Sequence, residues 1–294
     1  MNGKAYLTLA IVVLVAACGT GVPLGSTTVP TTAPPTSARG GQGTTVPAGM
    51  ATVAAWFLAD EAGQPRRTGP FLIPVARDVP EATPGAAVAA LLAGPNGEEV
   101  AASPAISSAV PSGAEVSAVS VEGGIATVDL SLSFEATDAA AAAAQRIAQI
   151  VFTLTQFDGI DAVGFTEEGE PIAVPSSLGE LLSRPVTRSD YRDFQAIVSV
   201  DMPTYAGTGD NPLRVAGEAA VFEATFAYAL TDATGATLTE GHAMTREGNT
   251  WSTFDFMVDY EVAEPQIGTL IVWVNSAEDG SPMNIRQHPV RLVP

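Results

Sequence analysis

Cysteine, lysine and histidine are almost missing from this chain of 294 residues. Cys18, Lys4 and the pair His242 and His288 are all it has of each. One cysteine excludes an intramolecular disulfide and any multi-cysteine metal site, so stability must come from packing. With 13 basic against 32 acidic residues and a formal charge of −19, the clustered cations that phosphate contacts require are also missing. That excludes nucleic acid as a natural partner and argues against direct binding to anionic lipid headgroups. Catalytic signatures are lacking as well: there is no Gly-x-Ser-x-Gly elbow, no lysine-bearing phosphate loop and no His-Glu-x-x-His helix.

What is present begins with a processing signal. Lys4 supplies a positive start, and the largely apolar run Ala5–Ala17 is too short to span a bilayer core of about 30 Å as a helix. The run ends in Leu14-Val15-Ala16-Ala17-Cys18, which has the form of a bacterial lipobox. Cleavage before Cys18 would leave that cysteine as a lipid-modified N-terminus at the extracytoplasmic face of the cell membrane. Residues 19–50 follow, with 22 Gly, Ser, Thr and Pro among 32 positions and no acidic residue. Such a segment buries too little apolar surface to offset its ordering entropy, so it reads as a disordered tether. Its prolines favour an extended reach. The rest of the chain then holds 11 basic and all 32 acidic residues, a charge of −21 on the folded part.

Residues 51–185 read as an α+β domain. Thr52–Leu58 and Phe71–Val79 are strand-like. Thr83 and Pro84 start a short helix with Val88, Leu91 and Leu92 on one face, and Gly94-Pro95 stops it. Ala114–Val121 and Ile125–Leu132 form a hairpin around Glu122-Gly123-Gly124. In its second strand Ala126, Val128, Leu130 and Leu132 face one side and Thr127, Asp129 and Ser131 the other, with Asp129 in solvent. The longest helix is expected from near Asp138 to Thr155, with Ile147, Ile150, Val151 and Leu154 as its apolar strip. Ile160–Phe165 and Glu170–Val174 make a last hairpin on Glu167-Glu168-Gly169. Leu178–Leu182 and Arg184-Pro185 read as a link.

From 194 to 294 about seven short strand-like runs suggest an all-β sandwich. In one run, Ala220–Leu230, the residues Phe222, Ala224, Phe226, Tyr228 and Leu230 alternate with polar neighbours, which predicts one packed face.

Two resemblances attach to these residues. Leu91–Pro95, Ser108–Gly113, Gly124–Ser131 and Gln149–Thr155, in that order, resemble the GerM-type sporulation and spore-germination domain. This implies a compact fold like the ring-building motif of spore-envelope assembly proteins, used for interaction and not for chemistry. Related domains also occur in surface lipoproteins of actinobacteria, one of which associates with a sensor kinase. An envelope protein partner, such as a sensor kinase or an assembly component, is therefore implied. Val215–Ala224, Gly268–Val272 and Ser276–Pro282 resemble the immunoglobulin-like domain that accompanies GerM-type domains. No cysteine pair of the antibody kind is present, so only the sandwich architecture carries over.

The remaining candidates read as structural. His242 and His288 fall in strands or at edges. The adjacent acids Glu98-Glu99 and Glu167-Glu168 read as solvated turns, because glycosidase carboxyls face each other across a cleft. Asp232 with Gly235, and Glu278-Asp279-Gly280, lack the alternating ligand series of a calcium loop. Trp56, Trp251 and Trp273 all sit in strand patterns and are expected in cores, with stacking on a cell-wall glycan as the alternative. Arg66-Arg67 is a small basic spot in an acidic molecule. The expectation is a lipid-anchored envelope protein acting as a non-enzymatic interaction module, with peptidoglycan or polysaccharide binding as the alternative. Cys18 is its one nominated site, and no catalytic, cofactor-binding or metal-ligating residue is proposed.

Overall fold

The computed structural model describes residues 49–60, 70–101, 106–130 and 140–294. Cys18, Arg66-Arg67, Leu132 and Asp138 lie outside them. The chain opens with β1 (Ala51–Ala59) and β2 (Phe71–Val79), antiparallel in register from Ala51 opposite Val79 to Ala59 opposite Phe71. Helix α1 (Pro84–Leu92) starts as its sequence requires. The Thr83 hydroxyl accepts from the Ala86 N–H at 3.2 Å, Pro84 occupies the first turn, and Ala87, Val88 and Leu91 are buried. The single-turn α2 (Gly97–Ala101) and the short β3 (Ile106–Ser107) follow, β3 pairing with Leu58 and Ala59 at the end of β1.

The hairpin of β4 (Val116–Glu122) and β5 (Ile125–Leu130) turns on Gly123 and Gly124, both at positive φ. Two successive positive-φ positions match the right-handed twist of the strands, which explains the two glycines. Ala126, Val128 and Leu130 are buried as their alternation predicts. Asp129 lies on the other face but is not idle. Its Oδ1 accepts from Thr166 Oγ1 at 2.8 Å and from the Gly169 N–H at 3.1 Å. Helix α3 (Ala140–Leu154) then crosses over to β6 (Ala162–Glu167), which runs parallel to β5, and β7 (Glu170–Pro171) ends the sheet. A small hairpin, β8 (Val174–Pro175) with β9 (Leu181–Leu182), stands where the sequence suggested only a link.

Helix α3 carries more than an apolar strip. Ile150, Val151, Phe152 and Leu154 are fully buried, but so are Gln149 and Thr153. The reason lies in β1, which β3 covers only at Leu58 and Ala59. Alongside the uncovered stretch, α3 supplies side chains in place of a strand. Gln156 accepts from the Ala54 N–H at 2.8 Å and donates to the Ala54 carbonyl at 2.6 Å. Thr153 Oγ1 accepts from the Trp56 N–H at 3.1 Å, and Gln149 Nε2 donates to the Trp56 carbonyl at 2.8 Å. Gln149 Oε1 also accepts from the Ala109 N–H at 2.7 Å. Gln149 and Thr153, four residues apart, share one face of α3, and Gln156 in the turn just beyond the helix continues the row.

The sandwich packs β10 (Val198–Met202), β11 (Leu213–Ala220) and β14 (Trp251–Val258), in that order, against a sheet of four. That sheet runs β13 (Thr237–Met244), β12 (Thr225–Thr231), β15 (Gln266–Asn275), β16 (Pro282–Leu292). Between them lie Leu213, Val215, Phe226, Leu230, Leu270, Val272, Val290 and Leu292. The expected single strand Ala220–Leu230 is broken. β11 ends at Ala220, Phe222–Ala224 form a 3₁₀ turn with Glu223 and Ala224 at positive φ, and β12 starts at Thr225 in the opposite sheet. Phe222 is 66% exposed, not packed, because the chain must cross from sheet to sheet there. From Phe226 onward Phe226, Tyr228 and Leu230 face the core as expected, but Ala227 and Ala229 on the other face are buried as well.

Removing one end of the α3 ladder leaves backbone groups buried and unpaired. Gln149→Ala is expected to cost about 2–4 kcal/mol, since the Trp56 carbonyl and the Ala109 N–H lose their partners together. Urea unfolding of the two proteins measures it, and a cost under about 0.5 kcal/mol would show that water replaces the amide.

Candidate functional site

None of the sequence candidates converges on a reaction centre among the described residues. His242 is exposed on β13 and His288 is buried on β16, the opposite edges of one sheet. Glu99 is held by Arg77, with both oxygens at 2.7 Å from the guanidinium, and caps α2 by exchanging hydrogen bonds with Asn96. Its neighbour Glu98 points to solvent. Glu167 ends β6 and Glu168 occupies a positive-φ turn position. Asp232 Oδ1 is filled by donors of its own turn, the Thr234 N–H and hydroxyl and the Ala236 N–H, and these bonds hold its carboxyl below the usual range. Asp279 is likewise bonded by the Ser281 hydroxyl and N–H. No group of three His, Cys, Asp or Glu side chains among the described residues is arranged for a metal ion.

The tryptophans separate. Trp56 is 1% exposed in the core, its ring 5.0 Å from that of Phe152. Trp251 and Trp273 are only half-buried, contrary to the expectation that all three fill cores. On β15, Leu270 and Val272 face inward, which turns Trp273 to the outer face of the sheet. Its indole N–H donates to Asn275 Oδ1 at 3.0 Å, and Ala227 and then His242 lie beside it in register.

The densest polar cluster lies where the α+β region meets the sandwich. Arg188 Nε donates to Thr155 Oγ1 at 2.8 Å, just beyond α3, and its Nη1 to Asp201 Oδ2 on β10 at 2.8 Å. The same guanidinium stacks on Phe152 at 4.7 Å and Trp56 at 5.1 Å. Four residues along, Arg192 donates to both oxygens of Glu218 on β11, at 2.6 and 3.1 Å, and lies 4.6 Å over Trp251. Burial raises the Asp201 carboxyl, against the opposing charge of Arg188. Burial works the same way on Glu218, but the hydrogen bond and charge of Arg192, helped by Arg188, carry it below its ordinary value. These arginines were not singled out in the sequence. Their four-residue spacing, Arg188 to Arg192, was the available signal.

A second contact is made by backbone. The Tyr205 N–H donates to the Pro74 carbonyl on β2 at 2.7 Å. The Ala206 N–H donates to the Pro289 carbonyl at 2.9 Å, and the Arg291 N–H to the Gly207 carbonyl at 2.8 Å. Residues 205–207 thus lie between β2 and β16 and occupy an edge of each sheet. Beneath them sits His288, 6% exposed, its ring edge-on to Tyr205 at 5.4 Å, beside a cavity with room for about one water. Burial pushes the imidazole down to about 4, although hydrogen bonds to the Thr204 and Pro203 carbonyls oppose the shift.

Residues 56–173 match the family described as sporulation and spore germination, and residues 197–281 the immunoglobulin-like domain of bacterial spore germination. Among solved structures, the first GerMN domain of the sporulation protein GerM from Bacillus subtilis is 22% identical, over 47% of this chain and 98% of that one, with a TM-score of 0.34. The tandem GerMN domains of the same protein are 16% identical, over 73% of this chain and 64% of that one, with a TM-score of 0.36. No curated protein matches the chain significantly.

The His288 shift makes the contact acid-sensitive. An imidazole whose pKa is lower folded than unfolded stabilises the fold fully above about 6.5 and loses that contribution as pH falls toward 4. Chemical denaturation is therefore expected to show stability dropping by up to about 3 kcal/mol across that window, with most of the slope absent in His288→Gln. An unchanged slope in the variant would assign the acid sensitivity to other groups.

Proposed function

Since residues 56–173 belong to the sporulation and spore-germination domain family and residues 197–281 to the immunoglobulin-like domain family of bacterial spore germination, we propose that this chain is a lipid-anchored, non-enzymatic interaction module of the cell envelope. The observation that carries the reading is the pairing of these two spore-germination-type domains in one chain, behind a sequence run of lipobox form. Cys18, acylated at the extracytoplasmic face, holds the module at the membrane. Among the described residues no helix is long and apolar enough to cross a membrane. Confinement at the membrane raises the effective concentration of the folded part for a membrane partner without any new contact, and the segment 19–50 sets its reach. That partner is an envelope protein, of the sensor-kinase or assembly kind, and the setting is sporulation, germination or envelope regulation. The braces at Arg188 and Arg192 suit this role, because they hold the two regions as one presenting surface.

Cys18→Ala is expected to move the protein from the membrane to the soluble fraction. It is also expected to abolish stoichiometric recovery of a membrane protein from detergent-solubilised envelope. Equal membrane association of the variant would overturn the anchor, and recovery of wall fragments alone would overturn the protein partner.

Peptidoglycan or polysaccharide recognition is the second reading, and the outward position of Trp273 favours it. An indole held by Asn275 beside the small Ala227 offers one face on which a pyranose could stack. Soluble wall fragments are then expected to shift the tryptophan emission of the wild type and not of Trp273→Ala. Equal shifts in both proteins would remove this reading.

A further inference from the structure

We propose that the tip of the β8–β9 hairpin is a preformed docking finger for a protein surface that offers an apolar groove rimmed by Lys or Arg. The proposal rests on reading the chain as an interaction module and locates the contact. Leu178 is 84% exposed and Leu181 69%. Every other leucine among the described residues is buried or half-buried. Each exposed leucine forgoes most of the stabilisation that burying its side chain would give, and here two stand within four residues.

The tip is not a loose loop. The Ser176 N–H donates to the Glu180 carbonyl at 2.8 Å, the Gly179 N–H returns to the Ser176 carbonyl at 2.9 Å, and the Glu180 N–H donates to Ser176 Oγ at 3.2 Å. Gly179 supplies the positive φ that this tight return requires. Two further bonds fasten the tip to the body: the Ser177 N–H to the Asp190 carbonyl at 3.0 Å and the Ser177 hydroxyl to Asp193 at 2.9 Å. At the base, Val174 is buried and the buried Tyr191 donates its hydroxyl proton to the Pro175 carbonyl at 3.0 Å. A side chain presented on such a frame loses little conformational freedom on binding.

Charge selects the occupant. Glu180 stands exposed between the leucines and Asp193 is exposed at the base. Arg184, the arginine nearest the hairpin in sequence, is paired through both terminal nitrogens with Asp190 at 2.7 and 3.0 Å. An anionic bilayer would be repelled, and the tip carries no aromatic residue to settle at an interface. A second copy meeting tip to tip would place acid against acid. An aliphatic anchor inside an acidic rim complements a groove with basic edges, where the anchor supplies affinity and the rim steers the encounter.

The test places photoreactive p-benzoylphenylalanine at position 178 of the full-length lipidated chain in its native membrane. Position 267 serves as control, because Ile267 is 43% exposed on the sandwich. The expected result is one protein adduct from 178 and none from 267. Its crosslinked peptide should carry Lys or Arg around apolar residues, and Glu180→Lys should lower the yield severalfold. Adducts to lipid or to another copy of the chain, or no adduct at all, would overturn the proposal. Leu178→Asp alters an exposed side chain and should leave the unfolding midpoint unchanged while abolishing co-purification of the partner. Undiminished co-purification in Leu178→Asp would sink the finger and leave the interaction module standing.

Discussion

A buried strand that runs past the end of its neighbour leaves backbone N–H and carbonyl groups that water cannot reach. In this protein β1 is that strand, and helix α3 must answer it at Ala54 and Trp56 through Gln149, Thr153 and Gln156. The helix is thereby fixed in rotation and height against the sheet, which sets where its opposite face meets the core. It also sets where its C-terminal end lies. Thr155, one residue beyond α3, and the ring of Phe152 receive Arg188, so the same docking that satisfies β1 positions the first brace to the sandwich.

The braces work in a molecule short of positive charge. Two described arginines at the contact each lie over an aromatic ring and reach a carboxylate: Arg188 over Trp56 and Phe152 toward Asp201, Arg192 over Trp251 toward Glu218. A planar guanidinium can do both at once, which a lysine ammonium does less well. Elsewhere the surplus acids stay on the surface, or cap and close turns as Glu99, Asp129 and Asp232 do. Much of the surface is therefore acidic and polar, and the apolar side chains left on it, such as Leu178 and Leu181, gain meaning from that background.

Local chemistry was legible in advance wherever one residue decides the backbone. Thr83 with Pro84 started a helix, Gly123-Gly124 made a two-residue hairpin, and the alternation from Ile125 to Leu130 identified its buried face. The alternation from Phe222 to Leu230 misled because period two continues through a turn that changes sheets, and pattern alone carries no record of positive φ at Glu223 and Ala224. The tryptophans misled for a related reason. A strand has two faces, and composition does not say that the outer face of β15 is left uncovered at Trp273.

The sequence by itself determined the two folded regions, the order of most of their elements and the acidic surface, because these rest on local spacing, propensity and composition. Only the tertiary structure decided that Gln149 and Thr153 belong inside, that Arg188 and Arg192 join two regions, and that Leu178 stays outside. Each of those outcomes depends on groups that only the fold brings together: a strand about ninety residues away, a carboxylate in another sheet, or the bonds that fasten a hairpin tip to the segment after it.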